Sequence, residues 1–403
     1  GDGYFKCPMK FRFYGIQSWW MPGGIPLAWR QLSGDKKRFA TALAGVSFGV
    51  VIMLFQLGIS QAFDKMVIRP IVSVKGDIIL ISPDFQYLLS PGGFPERRLY
   101  QVLSDPEVEA IYPYNIIYAK WRNPESGLKT DIALVGVQAS KNPFLLPEVA
   151  SRPDALANAE NVLFDTGSTP DCGDIGRLFT RDGKVETEIN GQRIRVDGIF
   201  SMGQTLAAYG HAVVGMETYQ RLTGLPSGTI NLGLIRLARG ANAEEAARRL
   251  QKVLPEDVEV LTRDELIRRE QTYWQNNTPV GFIVMAGMIL AMFVGAVIVY
   301  QILYTDINDH LKEYATLKAI GLGQGFFIKF IIAESMILLF IGFLPGMLVS
   351  ALLFAVADAS AGLPTQITLS GTLIVFFLSA FMCLSAGLLA TKRLRSVDPA
   401  DIF

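Results

Sequence analysis

The sequence predicts an α-helical membrane protein with four transmembrane helices, arranged one and then three, and a large α+β extracytoplasmic domain inserted between the first and the second. Three observations predict it. Half of the 403 residues are hydrophobic, only 18% are charged, and mean hydropathy is +0.31, too apolar for an ordinary soluble enzyme. Four uncharged stretches are long enough to cross a hydrocarbon core of roughly 30 Å. Between the first and second stretch lie residues 64–278, in which strand and helix patterns alternate.

Residues 1–38 are the predicted cytosolic N-terminal segment, carrying Lys6, Lys10, Arg12, Arg30, Lys36, Lys37 and Arg38 around Trp19, Trp20 and the turn Pro22-Gly23-Gly24. No continuous apolar h-region occurs in it, so no cleavable signal peptide is expected. Ile25 to Leu32, IPLAWRQL, fits a short amphipathic helix with Trp29 at the lipid boundary, and equally a plain lead-in. Phe39 to Phe63 has no charge and spans about 35 Å as a helix, giving transmembrane helix 1 at 39–63. Its Ala40, Ala42, Ala44, Gly45, Ser47 and Gly49 suit close helix approach.

The inserted domain, 64–278, carries strand signals at Asp77–Ile81, Asp131–Val137, Val162–Phe164, Leu232–Leu237 and Val258–Leu261. Glu186 to Phe200 reads as a hairpin turning at Asn190-Gly191, the dipeptide of a type I′ turn. Asn242 with Glu245 resembles a capping box opening a helix whose Ala243, Ala247, Leu250 and Leu254 share a face. Thr262 with Glu265 opens another, leading through Tyr273 and Trp274 to a break at Pro279.

Transmembrane helix 2 follows at 279–304, helix 3 at 330–357 and helix 4 at 369–391; Pro345-Gly346 suggests a kink in the third. Lys36-Lys37-Arg38, then Lys312, Lys318 and Lys329, then Lys392, Arg393 and Arg395 flank the spans, whereas the loop 358–368 has no Lys or Arg. The positive-inside rule therefore puts both termini, the loop 305–329 and the tail 392–403 in the cytosol, and 64–278 outside.

Composition and motifs exclude several functions. Lys and Arg total 37 against 37 Asp and Glu, so no nucleic-acid partner is implied. Cys7, Cys172 and Cys383 form no metal or disulfide framework. With just His211 and His310 in the chain, a Ser-His-Asp or His-rich metal site would rest on one His; His211 reads as the structural start of the strand HAVVG. Asp171 and Asp174 could offer carboxylates to a hard cation but read better as a solvated turn, so no metal is assigned. There is no G-x-x-x-x-G-K-[ST] loop, and Gly321 to Gly325 follows no predicted strand, so no catalytic residue and no bound cofactor are expected on this chain.

Residues 305–329, TDINDHLKEYATLKAIGLGQGFFIK, are too polar for lipid and lie between two spans. A docking helix needs a few apolar anchors among polar residues, and His310, Leu311, Lys312, Glu313, Tyr314, Leu317 and Lys318, ending near Gly321, supply them. A helix lying on lipid headgroups would use the same residues. Glu334, near the start of the third span, either pairs with Lys329 or Lys318 and joins a coupling motion, or reaches out to the interface.

The phrase EYATLKAIG, the Ala-Glu-Ser of IIAESMILLFIGFLPG and the one-domain-three layout resemble the MacB/FtsX superfamily of ABC permeases, the mechanotransmission or type VII class. Within it, IPLAWRQL, LAGVSFGVVIMLFQLG, VIVYQILYTDINDHLKEYATLKAIG and SVDPADIF resemble the DevC-type permeases across residues 25–403, with looser likeness at KNPFLLPEV and VETEINGQRIRVDGIFSMG. The resemblance implies a homodimer in the bacterial inner membrane, cytosolic ATPase subunits that carry ATP and Mg, a membrane-fusion-type periplasmic adaptor and an outer-membrane channel. It implies export of a lipid-like or glycolipid substrate by movement of the periplasmic domain. The alternatives it leaves are an FtsX-like scaffold that regulates a periplasmic partner, or lipoprotein release.

Overall fold

The computed structural model describes residues 36–319, 323–361 and 365–395. The amphipathic segment expected at Ile25–Leu32 and the tail beyond 395 lie outside the described residues, as does Gly321. The chain divides into two compact units. One holds residues 1–58, 284–356 and 366–403; the other holds 59–283 and 357–365.

The first unit is built from helices long and apolar enough to cross a membrane. Helix α1 runs Lys36–Val72, and its apolar stretch is one of four such candidates, the others lying at 279–309, 324–359 and 369–392. Glycines set how closely these helices pack. A Cβ on Gly346 would stand 2.9 Å from the Val50 side chain and 3.0 Å from the Ser47 carbonyl, and Ser47 Oγ donates to the Gly342 carbonyl at 2.9 Å. Gly49 meets the Gly295 backbone on a third helix, with 3.7 Å from a Cβ to its Cα. Such small-residue contacts are where membrane helices gain dispersion energy, since lipid competes equally for large apolar side chains. Gly346→Val is expected to cost about 1–3 kcal/mol through overpacking. Thermal unfolding in detergent checks this, with Gly325→Ala, where a Cβ meets nothing within 4 Å, as the neutral control.

The second unit is the inserted domain. Its elements are β1 (Ile78–Ile81), β2 (Phe94–Pro95), α2 (Arg97–Gln101), β3 (Val108–Arg122), β4 (Lys129–Val137), α3 (Pro147–Ala150), α4 (Pro153–Ala157), β5 (Asn161–Asp165), α5 (Ile175–Asp182), β6 (Val185–Ile189) and β7 (Gln192–Phe200). They continue through β8 (His211–Gly215), α6 (Met216–Thr223), β9 (Thr229–Ile230), β10 (Leu232–Leu237), α7 (Ala243–Val253), β11 (Glu259–Thr262) and α8 (Arg263–Asn277). Helices α9 (Pro279–Asp309), α10 (Leu311–Ala319), α11 (Gln324–Ala361) and α12 (Leu369–Arg395) complete the chain. Helix α11 runs unbroken through Pro345.

Nine strands form one sheet in the order β11-β1-β10-β3-β4-β8-β5-β7-β6, and β6 pairs back onto β3. That return closes β3, β4, β8, β5, β7 and β6 into a small barrel, while β11, β1 and β10 stay open on the first half of β3. Strand β3 can serve both halves because it has 15 residues: Val108 to Tyr114 pair with β10, and Trp121 and Arg122 with Ile189 and Glu188. The barrel is filled by Ala119, Trp121, Ile132, Leu134, Val162, Phe164, Ile194, Val196, Ala212 and Val214, the alternate residues of its strands. In the open half, α7 covers one face through Ala246, Ala247 and Leu250. Leu266 of α8 and Ile71 at the end of α1 cover the other.

Local signals account for the turns. Asn190 and Gly191 have φ of 51° and 77°, both positive as a type I′ turn requires. Thr262 and Glu265 form the reciprocal capping box of α8, and the Asn242 side chain accepts from the Glu244 and Glu245 N–H groups at the start of α7. The free edge of β11 is closed by one side chain: Gln251 accepts from the Val260 N–H and donates to the Val258 carbonyl, so the strand offers little to a foreign edge.

Candidate functional site

Within the first unit, the polar segment between the second and third apolar helices is packed rather than free. Helix α9 continues past the expected end at 304 to Asp309, and α10 follows after His310, whose Nδ1 lies 3.1 Å from the Asp306 carbonyl. Tyr314 turns inward at 6% exposure and meets the rings of Phe327 and Phe330 edge-on, at 5.8 and 6.3 Å between centroids. Ala315 is buried beside it and Leu311 is half-buried against the same core. The expected anchors Leu311 and Tyr314 therefore hold α10 onto the start of α11. Lys312 and Thr316, one turn apart, are exposed, and Lys318 and His310 are half-exposed. Of Glu313 and Leu317 the structure gives backbone placement on α10.

Glu334 lies inside the helix bundle at 1% exposure, not reaching out along its surface. Its neighbour Ser335 packs so tightly on α12 that a Cβ on Gly387 would collide with it. Asp306 is a second buried carboxylate, at 2% exposure, which pattern reading missed because it sits in a polar stretch. The signal that would have found it is helical spacing: Val299, Ile302, Leu303, Asp306 and Ile307 share one stripe, and all five are buried.

Within the second unit, the far end of α1 meets the barrel. The helix outlasts its uncharged window by nine residues to Val72 because Ala62, Met66, Val67 and Ile71 recur on one face and are buried. Arg69 points into the domain and donates from Nη1 to the Gln204 carbonyl at 3.2 Å. Inside that loop Asp165 is fully buried, and its Oδ1 accepts from the Gly167 and Met202 N–H groups at 2.9 and 3.0 Å. Burial pushes the Asp165 carboxyl up, opposed by these N–H groups and by Arg69. His211 starts β8 as expected, with Nε2 3.2 Å from Thr205 Oγ1 and Nδ1 3.9 Å from Asp165. Burial, helped by Arg69, pushes its pKa down to about 3, so it is a neutral structural group.

Glu270 on α8 and His211 line one small cavity beside Met66 and Val67 of α1. Glu270 accepts from the Leu88 N–H at 2.9 Å and the Trp274 indole at 3.0 Å, and burial pushes its pKa up to about 7. A raised carboxyl favours the protonated native state, so its stabilising effect is complete below 4.5, the ordinary glutamate value, and is lost as pH rises to about 7. Glu270→Gln, which mimics the protonated form, is expected to unfold at a higher temperature than wild type at pH 8 and at nearly the same temperature at pH 4. Paired thermal melts across that range check it.

The turn at Asp171 and Asp174 has local work. Asp174 caps α5 by accepting from the Arg177 N–H, and the carbonyls of Asp171 and Cys172 receive Asn123 Nδ2 and the Trp121 indole. Among the described residues no group of three His, Cys, Asp or Glu is arranged to hold a metal.

These two pieces, a domain with a closed barrel on a long helix and a bundle of apolar helices, correspond to two family models. The MacB-like periplasmic core domain matches residues 39–253, more than half of the chain, and the FtsX-like permease C-terminal model matches residues 285–399. The chain belongs to the MacB/FtsX family of permeases. Family membership makes it an ABC transporter permease component of the inner membrane with a periplasmic domain, and MacB/FtsX members work with cytosolic ABC ATPases. Solved structures similar to the chain include the periplasmic region of MacB from Actinobacillus actinomycetemcomitans, at 13% identity and TM-score 0.34, covering 50% of this chain and 96% of that one. The extracellular domain of the noncanonic ABC-type transporter YknZ from Gram-positive bacteria is also similar, at 13% identity and TM-score 0.32, covering 47% and 100%. So is a domain of a putative permease from Porphyromonas gingivalis, at 14% and 0.28, covering 47% and 88%. No curated protein matches the chain.

Proposed function

We propose that this chain is the permease subunit of a DevC-type ABC exporter, which converts ATP hydrolysis by a separate subunit into movement of its periplasmic domain. The observation that supports this best is the build of α10. A short helix between two apolar helices is fastened to α11 by Tyr314 while Lys312 and Thr316 face outward. Force applied to that outer face reaches α11 through a packed aromatic cluster, which is stiff. In this reading the ATPase docks on the side of α10 that carries Lys312, with His310 and Lys318 at the rim, and Gly321 counts among the coupling residues by sequence alone. Leu311 and Tyr314 set the helix in place, Glu313 and Leu317 belong to the same coupling helix, and buried Glu334 takes part in the motion of α11.

The reading includes a homodimer with four transmembrane helices in each copy and both termini cytosolic. ATP and Mg sit on the partner ATPase. A membrane-fusion-type adaptor and an outer-membrane channel carry a lipid-like or glycolipid substrate away. The DevC-type phrases support export over a purely regulatory scaffold. Co-purification tests the docking claim: a cytosolic ABC ATPase from the native host is expected to be recovered with the full-length wild type. Failure to recover it from detergent and from lipid nanodiscs would sink the reading.

A further inference from the structure

We propose that Arg69 is the residue through which α1 grips and moves the barrel, by clamping the loop 201–210 between its own cation and the buried carboxylate of Asp165. The proposal rests on the reading that helix movement drives the periplasmic domain, and it assigns that task to one contact.

The clamp is visible bond by bond. On the outer side of the loop, Arg69 Nη1 donates to the Gln204 carbonyl at 3.2 Å and lies so close over Gly203 that a Cβ there would collide with it. Gly203 has φ of +89°, so both its conformation and the space beside it favour glycine. On the inner side, the Met202 N–H donates to Asp165 Oδ1 at 3.0 Å, with the Gly203 nitrogen 3.5 Å away. Successive peptide groups thus present N–H groups to an anion and a carbonyl to a cation.

Neither charge has a direct ion-pair partner of the usual kind. Arg69 pairs with no carboxylate among the described residues, and Asp165 Oδ2 has no hydrogen bond although it is buried. The peptide groups of the loop bridge the two, and Arg69, with the N–H groups at Oδ1, acts against burial to favour the ionised carboxylate.

Beyond the clamp, the loop is tied to the barrel. Asp165 ends β5; the Tyr209 N–H donates to the Asp131 carbonyl at 3.0 Å and the Ala133 N–H to the Gly210 carbonyl at 2.8 Å; Tyr118 Oη donates to the Ala207 carbonyl at 2.7 Å. Displacing the loop therefore displaces β3, β4 and β5 together. The neighbouring contacts of α1, Met66, Val67 and Ile71, are apolar and non-directional, so they permit sliding. Arg69 supplies a directional, charged contact that resists it.

The test uses the full chain reconstituted in nanodiscs with its ATPase subunit. Spin labels go on Cys substitutions at Leu128, on the exposed β3–β4 turn, and Leu369, at the exposed start of α12. Distance distributions are compared without nucleotide and after trapping with ATP and vanadate. Wild type and Arg69→Lys are expected to show a nucleotide-dependent shift. Arg69→Ala is expected to lose most of it while ATP hydrolysis stays within about twofold, about 0.4 kcal/mol by the tenfold rule.

Asp165→Asn, which keeps the shape and Oδ1 but removes the charge, is expected to lose the shift as well. Should Arg69→Ala fail to fold, Arg69→Gln carries the same expectation. A full shift in folded Arg69→Ala, Arg69→Gln or Asp165→Asn overturns the assignment of Arg69 and leaves the exporter reading standing. No shift in the wild type overturns both.

Discussion

Trp121→Ala is expected to destabilise the periplasmic domain by about 4 kcal/mol, the usual cost of deleting a large aromatic from a core. Trp121 is fully buried at the centre of the barrel, stacked on Phe164 at 4.1 Å between ring centroids, and its indole donates to the Cys172 carbonyl at 2.9 Å. Its removal opens a void, strands that carbonyl and loosens the seam where Trp121 pairs with Ile189 to close the barrel. For a domain of this size the midpoint of thermal unfolding is expected to fall by on the order of 10 °C. Trp121→Phe keeps the stack and loses the donor, so a smaller loss of about 1–2 kcal/mol is expected. Pulse proteolysis of the full chain in urea measures both, and equal stability of Trp121→Ala and wild type would contradict the barrel core described above.

The second large effect concerns α10. Lys312→Glu with Thr316→Glu changes two exposed positions one turn apart and leaves the Tyr314 cluster intact. Recovery of the ATPase with this double variant is expected to fall at least about tenfold, or about 1.4 kcal/mol in binding. The chain's own melting temperature is expected to stay unchanged, because neither side chain is buried. Tyr314→Asp would be a poorer test: it puts a charge among Phe327 and Phe330, so lost docking and lost folding would look alike.

Much of this architecture was legible in the sequence. The four apolar stretches could be read by length alone, and the Asn190-Gly191 turn and the Thr262 capping box because each depends on a few adjacent residues. Strand β3 was not legible. Pro113 lies in its middle, and proline ordinarily argues against a central strand. It is tolerated here opposite Gly233 of β10 in a strand long enough to hold its register at other positions. Barrel closure was equally hidden, since it depends on Trp121 and Arg122 meeting Ile189 and Glu188 from far along the chain.

The extension of α1 past Phe63 was missed because charges at Asp64, Lys65 and Arg69 ended the uncharged window. Those charges mark where the helix stops being apolar on all sides, not where it stops. Within residues 305–329 the sequence reading gives Tyr314 to a partner, whereas the structure packs it on α11. An aromatic residue amid charges reads as a docking anchor until Phe327 and Phe330 are seen to receive it.

The central claim is that this chain transmits energy released on another one, and its most direct test is ATP hydrolysis by the purified full-length protein. Measured alone, in nanodiscs with Mg, it is predicted to show no turnover above background. Adding the cognate ABC ATPase subunit is predicted to give hydrolysis, and the Lys312→Glu/Thr316→Glu variant to assemble with that subunit at least about tenfold less well. Turnover by the wild-type chain alone, abolished by a substitution within this chain, would contradict the account.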